Sequence, residues 1–391
     1  MSLQPLSFHV NDPNFYAGDP YPMYKRLREE APVYWDAKEE IWCITKLSDV
    51  QSISRDPTRF RSAHGVLIND RYRKVPKRES ILSTDPPYHR QARKLVHAAF
   101  TRRRIASLEE RVQELVVECL DGIEAGKPVD FAEQVSIPLP ILVIAELMGI
   151  PREDRTRFQR WSDAVMIAAE TQDSGNMQVV SELITYLNGT LEERTKNPGD
   201  DLVSTVLATR VNNKSLSHVE LIVFCMTLLV AGNETTRTLM SNGLIALADH
   251  PEQMAKLVAD PSLVDYAVEE MLRYDPPIQS FTRTASEQVT ISGTTIEPEQ
   301  RVVLLYGAAN RDTEAFGDNA EHFVVDRTPG RHVTFGYGEH YCIGAMLAKL
   351  EMKVLLQELL RRFTHVKRGG TVERTPATLV RGVKTLPLVF S

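Results

Sequence analysis

The sequence predicts a mainly α fold with small β-sheets, and three observations carry that prediction. Apolar residues spaced three and four apart recur in segment after segment of the 391 residues. Strand-like runs are few, short and placed toward the two ends. Between them lies one helical pattern, from Ser217 to Asp249, whose roughly 32 residues would span about 48 Å and cross a whole molecule.

In chain order, YPMYKRLREE from Tyr21 reads as a helix, and APVYWDAKEEIWCIT from Ala31 as paired strands. PPYHRQARKLVHAAF from Pro86, ASLEERVQELVVECLDGIEAG from Ala106 and VVSELITYLNGTLEERT from Val179 continue the helical spacing. The long helix opens at Ser217, whose side chain can cap it while Glu220 reaches back, and it need not stop before His250 and Pro251. Strands return in TISGTTIEPEQRVVLLYG from Thr290 and in the terminal TLPLVFS. No linker, low-complexity tract or fixed-period repeat interrupts the chain, so 1–391 reads as one unit.

Apolar residues at 42% and charged residues at 25% are ordinary for a water-soluble globular protein. A net charge of -6 gives no reason to expect nucleic acid as a partner. The start MSLQPLSFHVNDPNF lacks a basic segment followed by an apolar core, and the longest apolar run, LIVFCMTLLVAG from Leu221, falls short of the roughly 20 residues a bilayer needs. No membrane anchor is expected. Cys43, Cys119, Cys225 and Cys342 are scattered without a CxxC pair, so the thiols should be reduced and the protein cytoplasmic.

The chemistry centres on FGYGEHYCIG, residues 335–344. The helical pattern IGAMLAKLEMKVLLQELLRRF follows at once, which sets Cys342 before a helix N-terminus, where free N–H groups favour a thiolate, a metal ligand. Gly336 and Gly338 allow a sharp turn, and Gly344 allows a flat ligand to approach the backbone. In AGNETT, residues 231–236, Gly232 weakens the long helix and Thr235 can bond back to the Ala231 carbonyl, which predicts a local opening beside the Glu234 carboxylate. In YAVEEMLRYDPP, Glu270 and Arg273 share a helix face. By itself that pair is an ordinary surface contact.

Together these segments resemble the haem-binding loop, the acid–alcohol pair and the ExxR element of the cytochrome P-450 haem-thiolate monooxygenases, and their order fits the soluble bacterial-type members along essentially the whole chain. The resemblance implies a triangular, helix-rich prism with haem b, iron protoporphyrin IX, between the long central helix and the cysteine-loop helix. It marks Cys342 as the iron ligand and sets Phe335, Gly336, Gly344 and Ala231 against the cofactor. His89, Arg93, Arg283 and His340 become partners of the haem propionates. Glu234 and Thr235 become the catalytic pair that passes protons for dioxygen activation. Glu270, Arg273 and Arg327 become a structural triad. The one small departure is Lys349, where arginine is the commoner residue.

The resemblance further implies monooxygenation of a lipophilic small molecule such as a terpenoid, steroid, fatty acid or polyketide. No flavin or nicotinamide fingerprint appears, so electrons should come from a ferredoxin and its NAD(P)H-dependent reductase. Arg90, Lys94, Arg102, Arg103, Arg104 and Lys349 form a cationic patch that could steer an acidic ferredoxin. The substrate pocket should be lined from Val66 to Leu82, by Phe224, Leu228 and Ala231, by Gln279 to Thr282, and near Leu379 and Val380. The basic stretch from Asp70 to Arg78 is a solvated loop or a receiver for a substrate carboxylate. A monomer is expected. The alternatives are peroxide-driven or non-oxygenating haem-thiolate chemistry, against which the Glu234–Thr235 pair argues, and a non-catalytic haem carrier or sensor, which has no use for proton delivery. A structural zinc site fails for want of a second thiol near Cys342.

Overall fold

Local sequence chemistry explains where the elements begin and end. The structure, a computed structural model, describes residues 6–72, 81–171 and 174–391. Helix α1 spans Tyr21–Glu30, α2 Tyr88–His97, α3 Glu109–Leu120, α4 Pro138–Leu147, α5 Arg155–Thr171 and α6 Ser174–Lys196. The long helix α7 is His218–Asp249, α8 is Val264–Tyr274, and α9, following the cysteine loop, is Ala345–Arg362.

Helix α7 starts in the expected capping box. The Ser217 hydroxyl accepts from the Glu220 N–H at 3.2 Å, and the Glu220 carboxylate accepts from the Ser217 N–H at 2.7 Å. It ends before Pro251, whose ring disfavours helical backbone at His250. Between these caps α7 is unbroken, so the expected opening at Gly232 is not there. Gly232 instead admits α4: a Cβ on it would come within 2.6 Å of Ile144 Cδ1. Helix α4, PLPILVIAEL, is apolar on nearly every face and carries no periodicity to read, yet it is the packing partner that explains this glycine. Mean hydropathy reaches 1.4 along α7, enough by length and composition for a bilayer, but here it packs against α4, α5, α8 and α9.

The strands form separate small sheets. Strands β1 (Val33–Asp36), β2 (Ile41–Ile44), β3 (Phe60–Arg61), β4 (Ser280–Ala285) and β5 (Arg301–Leu305) form one sheet in the order β1-β2-β5-β4-β3. Pairing is antiparallel except between β2 and β5, which run parallel and tie the N-terminal hairpin to the last third of the chain. A short pair, β6 (Glu373–Arg374) and β7 (Val383–Thr385), lies close to α7. A further sheet joins Pro128–Asp130, Val366–Arg368 and Pro387–Phe390.

Gly338 anchors the cysteine loop to the helix of residues 47–55. Its φ is +71°, and a Cβ would fall 2.3 Å from the Ser54 carbonyl oxygen, a backbone atom that cannot step aside. Gly126 has a similar φ of +80° with nothing within 4 Å. Gly126→Ala should therefore cost about 1 kcal/mol, and Gly338→Ala about 3 kcal/mol or more because strain and overlap add. Chemical denaturation of the two variants side by side checks the difference.

Candidate active site

The cysteine loop is closed by its own backbone. The Cys342 N–H donates to the Phe335 carbonyl at 2.8 Å and the Gly336 N–H to the Val333 carbonyl at 2.8 Å. Gly336 adopts φ +70°, which meets the turn requirement read from the sequence. Phe335 packs its ring 6.1 Å from that of Tyr341 and against the main core. Cys342 is a free thiol, dense with protein on one side and exposed on the other. A Cβ on Gly344 would meet only the Cys342 sulfur, at 3.9 Å, so the space beside both is open to a flat group.

Burial pushes the Cys342 thiol above its ordinary pKa, although the N–H groups of Gly344 and Ala345 and the Arg93 cation pull the other way. The helix-terminal N–H groups thus favour the thiolate, as the sequence predicts, while burial opposes it.

Four residues from three separate stretches of chain, His89 and Arg93 on α2, Arg283 on β4 and His340 in the loop, converge here. The His89 and His340 rings lie with centroids 4.0 Å apart. His340 Nε2 is 3.2 Å from the Ser62 hydroxyl, and Arg93 donates to the Tyr341 carbonyl. Arg283 is buried and donates to the Thr282 carbonyl at 2.7 Å. Among the described residues no carboxylate forms an ion pair with Arg93 or Arg283. His89 Nδ1 is buried without a hydrogen-bond partner, 4.0 Å from Glu339. Burial, then the Arg283, His89 and Arg93 neighbours, hold His340 down to about 2, so it is a neutral donor or acceptor at physiological pH. A largely buried cluster of two histidines and two arginines, the arginines with no carboxylate paired to them among the described residues, fits two propionates.

The ExxR triad is fully assembled. Glu270 receives Arg273 at 2.7 Å and Arg327 at 3.0 Å, with Glu270 and Arg273 both buried. Arg273 also donates to the carbonyls of Asn310, Ala320 and His322, and Arg327 to those of Phe316, Asn319 and His322. The triad thus pins the segment that leads into the cysteine loop.

On α7, Val223, Thr227, Ala231 and Thr235, four residues apart on one face, form a stripe that stays partly accessible. Ala231 is exposed there, and the Thr235 hydroxyl donates to the Ala231 carbonyl at 2.7 Å. Glu234, in contrast, is buried and paired with Arg237 at 2.8 Å. Leu228 packs largely into the core, while Gln279 and Thr282, fully buried in bonds to Pro276, Gly65 and Arg301, do not line a pocket. Residues 73–78 of the basic stretch lie outside the described residues. Three of the six expected surface cations are tied up: Arg90 to Glu339, Arg104 to Asp200 and Lys349 to Glu269. Lys94, Arg102 and Arg103 are exposed, with no ion pair among the described residues.

Two residues escaped the sequence reading. Ser62 lies 278 positions from His340 and nothing in the sequence signals it. Arg237 stands three residues after Glu234 on a helix, a spacing that does predict an ion pair.

This chain belongs to the cytochrome P450 family. Residues 172–388 match the family's sequence profile, described as Cytochrome P450. The chain is 37% identical over 400 residues to the mycinamicin IV hydroxylase/epoxidase of Micromonospora griseorubida, and 32% identical over 406 residues to the polyketide biosynthesis cytochrome P450 PksS of Bacillus subtilis, in both cases covering 100% of each chain. It superposes on the crystal structure of CYP109E1 from Bacillus megaterium in complex with testosterone with a TM-score of 0.86 at 32% identity, covering 95% of this chain and 99% of that one. It is accordingly a haem-dependent monooxygenase of P450 fold, and the residues around Cys342 fit the cofactor.

Two predictions follow from the geometry. Glu270→Gln strands two arginines and should cost about 3–5 kcal/mol, against about 0.5 kcal/mol for Asp326→Ala in the exposed pair with Lys256; haem content and unfolding midpoints check both. Arg283→Met removes a charge-assisted partner and should speed haem loss to a scavenging apoprotein roughly tenfold or more.

Proposed function

We propose that the protein hydroxylates or epoxidises a lipophilic substrate of polyketide or steroid type, with electrons from a ferredoxin and its NAD(P)H-dependent reductase. The partly accessible stripe on α7 carries this reading. Its side chains are small, Val223, Thr227, Ala231 and Thr235, which leaves room for a bulky apolar molecule. The names of the macrolide and polyketide relatives and the testosterone complex support the substrate class. The protein acts as a monomer and a single unit in the cytoplasm.

Bound haem supplies dioxygen activation at iron, assisted by electron donation from a thiolate ligand. Cys342 provides that ligand, held by the N–H groups of Gly344 and Ala345. His89, Arg93, Arg283 and His340 receive the propionates, with His340 oriented by Ser62. Phe335, Gly336, Gly344 and Ala231 border the cofactor's space. Thr235 holds a hydroxyl at the cavity wall, and Glu234 supplies a titratable carboxylate one residue away. Glu234 and Thr235, in place of the arginine and proline of peroxide-dependent members, support dioxygen as the oxidant.

A panel of macrolides and steroids, incubated with a ferredoxin system under labelled dioxygen, tests the proposal. One labelled oxygen in the product is expected; product formed only with added peroxide, or label drawn from water, would contradict it. The haem reduction rate should also fall as ionic strength rises, since the screening length shrinks from about 10 Å at 0.1 M to about 3 Å at 1 M. Lys94→Glu and Arg102→Glu should lower the low-salt rate, and a rate indifferent to both salt and charge reversal removes the steering role.

A further inference from the structure

A cleft of about 330 Å³, within the size range of small-molecule sites, opens between α2 and the segment that leads into α7. At about 100° per residue, Tyr88, Ala92 and Leu95 fall within roughly 60° of one another on the cleft side of α2, whereas His89 and Arg93 stand roughly 100° and 140° round from Tyr88. The helix thus turns one face to the histidine–arginine cluster and another to this cleft. None of the residues that line it belongs to the α7 stripe or to the cysteine loop. The far wall is a tight turn: the Val211 N–H donates to the Lys214 carbonyl at 2.9 Å and the Lys214 N–H to the Val211 carbonyl at 3.0 Å, with Asn212 at φ +53° and Asn213 at φ +60°. Two successive left-handed residues suit such a hairpin turn, so the wall is shaped before any ligand arrives.

We propose that this cleft binds a small amphipathic carboxylate, with its apolar body on Ala92, Leu95 and Leu216 and its anionic end at Lys214 and the Gln91 amide. Ala92 and Leu95 are buried and Leu216 is half-buried, which gives the ligand's body an apolar surface. Lys214 is exposed and forms no ion pair among the described residues, so its ammonium has a charge-assisted bond to give. Glu220 is the one carboxylate in the lining, and it is already engaged: it accepts from the Tyr88 hydroxyl at 2.6 Å and from the Ser217 N–H at 2.7 Å. Those donors hold it below the usual carboxylate range, so it stays ionised. A cationic ligand therefore gains little from Glu220, and an anionic one is confined to the Lys214 side. The site is independent of the reaction proposed above, because it shares no residue with Glu234, Thr235 or the propionate cluster.

Equilibrium dialysis of labelled octanoate against the haem-loaded protein tests the proposal, with a bulky azole on the iron to fill the space above the haem. Saturable binding of one octanoate per chain is expected, with octylamine about fivefold weaker or more. Lys214→Glu should weaken octanoate about fivefold or more, since a rim attraction is lost and a repulsion takes its place, and Lys214→Arg should retain it. Gln91→Trp, which fills the cleft from an exposed position on α2, should abolish binding. All three substitutions lie at exposed positions, and an unchanged Soret band in each variant shows that the fold is intact. Octanoate that fails to bind with the azole in place, that binds Lys214→Glu or Gln91→Trp as well as wild type, or that binds no better than octylamine overturns the proposal.

Discussion

The sulfur of Cys342 sits at a loop closed by its own backbone, and the rest of the structure is arranged to hold that loop in place. Burial raises the Cys342 pKa even with two backbone N–H groups and Arg93 beside it. The loop that presents the sulfur must therefore be rigid enough to keep those donors aimed while a cation supplies the remaining stabilisation. Gly336 and Gly338 provide left-handed backbone at the turn, and Gly338 fits against Ser54 where no side chain could. The N–H of Cys342 closes the loop onto Phe335.

Two buried charge clusters flank this loop and solve opposite problems. In the triad of Glu270, Arg273 and Arg327, one carboxylate serves two guanidinium groups, and five backbone carbonyls take most of the remaining donors. That cluster is complete within the chain and acts as a clamp. The cluster of His89, Arg93, Arg283 and His340 has donors and cations with no carboxylate paired to its arginines among the described residues, and His89 Nδ1 is left unpartnered. Its free donors fit the anionic edge of a cofactor.

Much of this was legible in the sequence where the determinants are local. The capping box at Ser217, the proline after His250 and the glycine pattern around Cys342 are short-range rules, and each appears as read. Helix α4 was not legible, because a helix buried on all faces has no periodicity. For the same reason Gly232 was misread as a weak point, since only the approach of Ile144 explains it. Gln279 and Thr282 are expected at the pocket because they lie in the right segments, but side-chain direction depends on contacts with Gly65, Pro276 and Arg301, up to 217 residues away in the case of Gly65 and Thr282. The surface cations were overcounted because pairing across the fold, as between Arg90 and Glu339, is invisible to composition.

The most direct test of the central claim is the absorption spectrum of the reduced protein exposed to carbon monoxide, compared with that of Cys342→Ala. Thiolate-ligated haem predicts a strongly red-shifted Soret band in the wild type that is lost in the variant. A protein that binds no haem, or a spectrum that the substitution leaves unchanged, would contradict the assignment of Cys342 and the chemistry built on it.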